Sequence, residues 1–192
     1  LHDALPISLE EIQQKENLSE ESQANMLTAM KNVDTLLRLT TNLINFSKAN
    51  VYSSSLRISE HELNTYMEGI CHAFYSYAEA KQIKLDYKSN FEYQNVWFDK
   101  EKMDSITKNL ISNAIKYTPA HGEVHIIICH DKDNWSLEIT DTGIGIPAKE
   151  QKKLFKLHFR GSNAINAKIT GSGIGLMLVW KLVRIHKGKI SI

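Results

Sequence analysis

Asn109, Asn113, Lys116 and Tyr117 recur at i, i+4, i+7 and i+8, so any helix that carries them presents them on one face. An asparagine carbonyl is a hard oxygen ligand suited to Mg²⁺, which takes few protein ligands beside substrate phosphates. A lysine on the same stripe can set a point charge against a phosphate. Taken alone, the stripe reads more simply as a solvated helix face. Two glycine-rich turns accompany it, DTGIGIP at Asp141–Pro147 and GSGIGL at Gly171–Leu176. Asp141 ends a strand pattern directly before its turn, where its carboxylate can accept from an amine such as the exocyclic amino group of adenine. A charged hydrogen bond of that kind contributes about 1.5–3 kcal/mol; the plainer role for an Asp-Thr-Gly is a turn cap. Gly173 and Gly175 open a helix pattern, and free N–H groups at a helix start favour an anion. The second turn is GxGxG rather than GxGxxG, because Leu176 stands where a third glycine would be, and no GxxxxGK[ST] occurs.

The elements that must position these residues follow from periodicity and caps. A helix is predicted over Lys100–Tyr117, with Leu110, Ile111, Ala114 and Ile115 turned to a core, and Gly122 lies between it and a strand at Val124–Cys129. A second strand at Trp135–Thr140 leads into the first glycine turn, a short helix at Ala148–Lys156 follows it, and a last helix spans Ile174–His186. Between them, Gly161–Thr170 is small, polar and without apolar periodicity, the composition of a mobile lid. Upstream, Ser59 with Glu62 reads as a capping box opening a helix whose buried side is Leu63, Met67, Ile70, Phe74 and Tyr77. Short strands are expected at Ile83–Tyr87 and Val96–Phe98, and the start of another at Lys189–Ile192.

Further upstream, Ser19 is a good N-cap with Glu20 and Glu21 in the first turn. Met26, Met30, Val33, Leu37, Thr40 and Ile44 then form a coiled-coil-like seam on a helix from about 20 to 48. Residues 9–16 read as the tail of a preceding helix, making a hairpin. The fold class expected is a two-layer α/β sandwich, a mixed sheet covered by helices, preceded by a partial antiparallel helical hairpin. Its divisions are 9–50 for the hairpin, 51–58 for a linker and 59–192 for the α/β domain. The first eight residues, LHDALPIS, back-translate to something resembling the constant end of a sequencing adapter and are expected to be non-native.

The chain of 192 residues is 42% hydrophobic and 23% charged, with a formal net charge of +1. That balance gives no reason to expect nucleic acid or an anionic membrane as partner. Cys71 and Cys129 are far apart with no CxxC, which fits reduced thiols. No apolar run approaches the roughly 18–20 residues of a membrane span, and no signal peptide is visible. His121, His125 and His130 have no cysteine or carboxylate at zinc-ligand spacing, and His61 and His72 are expected on helix surfaces.

In order, NLISNAIKY, DTGIGIP, LFKLHFRG and GSGIGL resemble the N box, first glycine box, F box and second glycine box of the sensor histidine kinases, within the wider group of gyrase, Hsp90 and MutL-type ATP-binding domains. The resemblance covers about residues 9–192. It implies a core that binds Mg-ATP and transfers the γ-phosphoryl to a histidine for relay to an aspartate of a response-regulator receiver domain, in cis or in trans. It also implies a homodimer through the helical hairpin and a cytoplasmic location, with membrane anchoring of a longer protein left open. Carried over, Asn113 is the Mg²⁺ ligand with Asn109 beside it, Lys116 approaches phosphate and Tyr117 packs by the nucleotide. Asp141 reads the adenine amine, with Gly143, Gly145 and Ile146 shaping its pocket. Phe155 and Arg160 match the F box, and Gly171, Ser172, Gly173, Ile174, Gly175 and Leu176 frame the lid and phosphate site. LLRLTTNLINFSKAN resembles the second helix of the family's dimerisation and phosphotransfer hairpin.

Hydrolytic members of the wider group carry a Glu as general base where Asn109 stands, and an amide cannot take a proton at neutral pH. Asn109 thus favours transfer to a side chain over ATP hydrolysis. A degenerate module that binds a partner without turnover is the other alternative. Two departures stand out: His158 occupies the place of the F box's second Phe, and the family's His-acidic-x-x-x-Pro acceptor pattern is absent, Pro6 lying only four residues after His2. The acceptor is expected upstream of Leu9, and the domain is expected to continue past Ile192.

Overall fold

The structure, a computed structural model, describes Ser19 and residues 22–30, 32–33, 36, 40, 55–131, 134–156, 159, 161–167, 169 and 173–192. The chain divides into two units, Leu1–Lys48 and Ala49–Ile192. In the first, residues 22–30, 32–33, 36 and 40 are helical. Ser19 caps this helix as its sequence predicts, its Oγ accepting from the Ser22 N–H at 3.2 Å. Met26, Met30 and Val33 are half-buried, while Leu27 and Leu36 are exposed. The expected preceding helix at 9–16, and Leu37 and Ile44 of the seam, lie outside the described residues.

The second unit runs β1 (Ile58–Glu62), α1 (Leu63–Ala80), β2 (Lys84–Ser89), β3 (Asn95–Asp99), α2 (Lys100–Tyr117), β4 (Glu123–Asp131), β5 (Asn134–Asp141), α3 (Ala148–Gln151), α4 (Ser162–Asn166) and α5 (Gly175–Ile185). β2, β4 and β5 form a mixed sheet, β2 parallel and β5 antiparallel to the central β4. Val124, Ile126 and Ile128 alternate on one face of β4 and are fully buried. Register places Ile139 and Leu137 of β5 opposite Ile126 and Ile128, so one face of the sheet is apolar. Against that face pack Ile70, Cys71 and Ala78 of α1 with Ile111, Ala114 and Ile115 of α2. A second cluster joins Leu63 and Met67 to Met103, Ile106, Phe98 and, from α5, Leu178, Val179 and Leu182. The result is the two-layer α/β arrangement expected from the sequence.

Ser59 does not open a helix. Ile58–Glu62 is a strand, paired antiparallel with Asn95–Asp99, so the boundary drawn between 58 and 59 cuts through β1. The pairing sets the His61 ring against Phe98 with centroids 4.7 Å apart, so His61 belongs to a strand rather than a helix surface. α1 starts three residues later, capped by Glu62, whose carboxylate accepts from the backbone N–H groups of Asn64 and Thr65 at 3.1 and 2.6 Å. That carboxylate also accepts from the Gln94 N–H at 3.0 Å, tying the helix start to the approach to β3. Tyr77 is exposed, and Cys71 and Ala78 take the buried side with Leu63, Met67 and Ile70.

The helix expected over Ala148–Lys156 stops at Gln151. Beyond it the N–H groups of Lys153, Leu154 and Lys156 reach back only three residues, at 2.8, 3.2 and 2.9 Å, so the chain tightens into successive turns. Residues 189–192 form no strand, because no described neighbour offers them a ladder. Cys71 and Cys129 are both free.

Candidate functional site

α2 is the scaffold of the site. Asp99 caps its start, its Oδ1 accepting from the Lys102 N–H at 3.1 Å. The Lys102 ammonium turns back to the Asp99 Oδ2 at 2.7 Å, a pair whose side chains are only 6% and 3% exposed. Burial acts to raise the Asp99 pKa, but the hydrogen bonds from Lys102 and from the Arg57 N–H outweigh it and hold the carboxyl below its usual range.

Asn109, Asn113, Lys116 and Tyr117 are all half-buried along α2. Asn109 donates its Nδ2–H to the Ser105 carbonyl at 2.7 Å, which turns its Oδ1 toward the start of α5. A Cβ added to Gly175 would sit 2.7 Å from that Oδ1 and 3.8 Å from the Asn113 Nδ2. The absent side chain thus opens a cradle between an amide pair and a helix start. Gly173, two residues earlier, has φ +69°, which bends the chain into α5. Ile174 is buried and Leu176 half-buried. The Lys116 ammonium lies over the Tyr117 ring, 5.1 Å from its centroid.

The first glycine turn docks on the other end of α2. The Ile144 N–H donates to the Tyr117 carbonyl at 3.2 Å. Gly143 fits so closely that a Cβ would lie 2.6 Å from both the Tyr117 carbonyl oxygen and the Asp141 Oδ1. Asp141 is exposed, and its Oδ1 accepts from the Gly143 N–H at 2.9 Å. The turn cap read as its plain alternative is therefore formed, on an exposed carboxylate. Gly145 has φ +65°, and Ile146 is exposed beside it.

Phe155 is half-buried in the turns after α3. Arg160, Gly171 and Ser172, and His158 of the F box, lie outside the described residues. The segment expected as a mobile lid contains α4, and Ala164 is buried. Asn163 was not singled out in the sequence, yet its Nδ2 donates to the carbonyls of Ile144 and Gly145 at 3.1 and 2.5 Å. Glu150 accepts from the Ser162 N–H at 2.9 Å, which holds its carboxyl below the usual range. An asparagine in a segment without apolar periodicity carries no local signal, so only the fold reveals its partners. Among the described residues no group of three or more His, Cys, Asp or Glu could hold a metal ion.

The structure therefore joins the amide pair to the second glycine turn and the aromatic end of α2 to the first. A helix layer over a mixed sheet, with one helix touching both glycine turns, is the architecture of an ATPase-type α/β domain. Residues 98–192 belong to the family described as histidine kinase-, DNA gyrase B-, and HSP90-like ATPase, whose model they match. Among curated relatives, Histidine kinase P4 of Formosa agariphila is 28% identical over 173 residues, covering 87% of this chain and 12% of that protein. The structure of full-length ShkA in complex with AMPPNP superposes with a TM-score of 0.66 at 19% identity, covering 90% of this chain and 35% of that one. Histidine kinase ThkA in complex with response regulator protein TrrA gives a TM-score of 0.61 at 19% identity, covering 86% of this chain and 50% of that one. No helix among the described residues is long and apolar enough to cross a membrane.

Proposed function

We propose that this chain is the catalytic core of a protein-histidine kinase, binding Mg-ATP between α2, the Asp141–Pro147 turn and the start of α5. The single observation that carries the reading is the cradle at Gly175, where Asn109 and Asn113 face the opening of α5 across a space that any side chain would fill. Amide oxygens suit Mg²⁺ that also holds substrate phosphates, and a helix start suits the phosphates themselves. Asn113 is the proposed metal ligand. Asp141 would receive the adenine amine on the oxygen not used by its turn, and Tyr117 and Ile146 would flank the base. Lys116, Arg160 and the Gly171–Leu176 turn would surround the phosphates, with Phe155 and the Gly161–Thr170 segment covering them.

The chemistry is transfer of the γ-phosphoryl to a histidine and then to an aspartate of a receiver domain, with the protein supplying position and electrostatics. Two similarities support it: one neighbour was solved with AMPPNP and another with a response regulator. The chain spans only 12% of the first curated relative, so acceptor, dimer and regulator belong to the proposal for the whole protein. A phosphate-release assay tests the transfer chemistry. Bound ATP should persist, because Asn109 is no general base; sustained release at saturating Mg-ATP would favour an ATPase instead.

A further inference from the structure

Helix α2 ends with four carbonyls that its own ladder cannot satisfy, and each has found a partner. The Ala114 carbonyl receives the Thr118 N–H at 3.1 Å and the Thr118 hydroxyl at 2.7 Å. The Tyr117 carbonyl receives the Ile144 N–H of the first glycine turn at 3.2 Å. The two between them, Ile115 and Lys116, are both taken by the Lys81 ammonium, at 2.8 and 3.3 Å. A cation at a helix C-terminus also meets the negative end of the helix dipole. The backbone that aims this ammonium is fixed. Lys81 caps α1, its N–H donating to the Ala78 carbonyl at 3.1 Å. Gln82 follows with φ +57°, and the buried Ile83 closes the turn through its N–H to the same carbonyl at 2.9 Å.

We infer that Lys81 is a positioning residue for the nucleotide site, because it clamps the last turn of α2, on which Lys116, Tyr117 and the Ile144 contact all depend. The inference rests on the nucleotide-binding reading above. Lys81 touches no proposed ligand; it acts through the backbone. Without its donors, two part-buried carbonyls lose their partners. The last turn then frays, and the Tyr117 carbonyl no longer holds the Asp141–Pro147 turn in register with Asn113.

The test compares wild type, Lys81→Met and Lys81→Arg by calorimetric titration with Mg-AMPPNP, at a temperature well below each protein's unfolding midpoint. Lys81→Met should weaken binding about tenfold, and Lys81→Arg, which keeps donors at similar reach, should restore most of it. Hydrogen exchange at the Ile144 amide should quicken in Lys81→Met and not in Lys81→Arg. A folded Lys81→Met with the wild-type Kd overturns the inference and makes Lys81 a stability cap only. If Lys81→Met does not fold, Lys81→Gln takes its place; an intermediate Kd supports the inference, and wild-type binding overturns it. A wild type that binds no nucleotide would instead sink the proposed function, so the two failures are distinguishable.

Discussion

Gly143 and Gly175 are both held to glycine by close approach, but by different neighbours. At Gly143 the obstacle is the Tyr117 carbonyl, which is backbone and cannot move alone; at Gly175 it is the end of the Asn109 side chain. Gly143→Ala should therefore cost about 1–3 kcal/mol of stability in urea unfolding, as overpacking does. Gly175→Ala should leave the unfolding curve nearly unchanged while impairing nucleotide binding, because Asn109 has only to swing its amide aside. Glu62 supplies a pH handle. Burial acts to raise its pKa, but hydrogen bonds from Thr65, Gln94 and Asn64 prevail and bring it from 4.5 down to about 2. A carboxylate depressed in the folded state contributes stability above its unfolded value and loses it as pH falls toward the folded one. Thermal midpoints should thus fall between pH 4.5 and about 2, and Glu62→Gln should flatten that part of the profile.

At the scale of elements, the junction of β3 and α2 ties distant segments together. Asp99 accepts from the Arg57 N–H at 2.8 Å, Lys102 donates to the Ser55 carbonyl at 3.0 Å, and the Asp99 N–H donates to His186 Nε2 at 3.3 Å at the end of α5. Removing one partner of a buried pair strands the other charge, so Lys102→Met should destabilise by about 3–5 kcal/mol in denaturant titration. The elements also mark what the sequence could say. α2 was legible because its apolar positions repeat at helical spacing, and β4 because Val124, Ile126 and Ile128 alternate. β1 was not, since Ser59 and Glu62 satisfy a capping pattern locally and only the distant Asn95–Asp99 offers a ladder. The glycine turns were visible as motifs, whereas the roles of Asn163 and Lys81 rest on tertiary contacts that no local pattern encodes.

At the scale of the whole molecule, the α/β unit is one sheet face buried under two helices, with α5 closing the second cluster. Ile126 is fully buried at the centre of the sheet, and Ile126→Ala should cost about 2–5 kcal/mol, lowering the unfolding midpoint of this unit. In the function proposed above, this unit holds a nucleotide between the two glycine turns through α2. Calorimetric titration of the wild-type chain and Asn113→Ala with ATP, each with and without Mg²⁺, tests it most directly. Binding to the wild type should depend on Mg²⁺, and a folded Asn113→Ala should lose that dependence. Absence of binding to the wild type, or a variant that binds Mg-ATP as tightly, would contradict it.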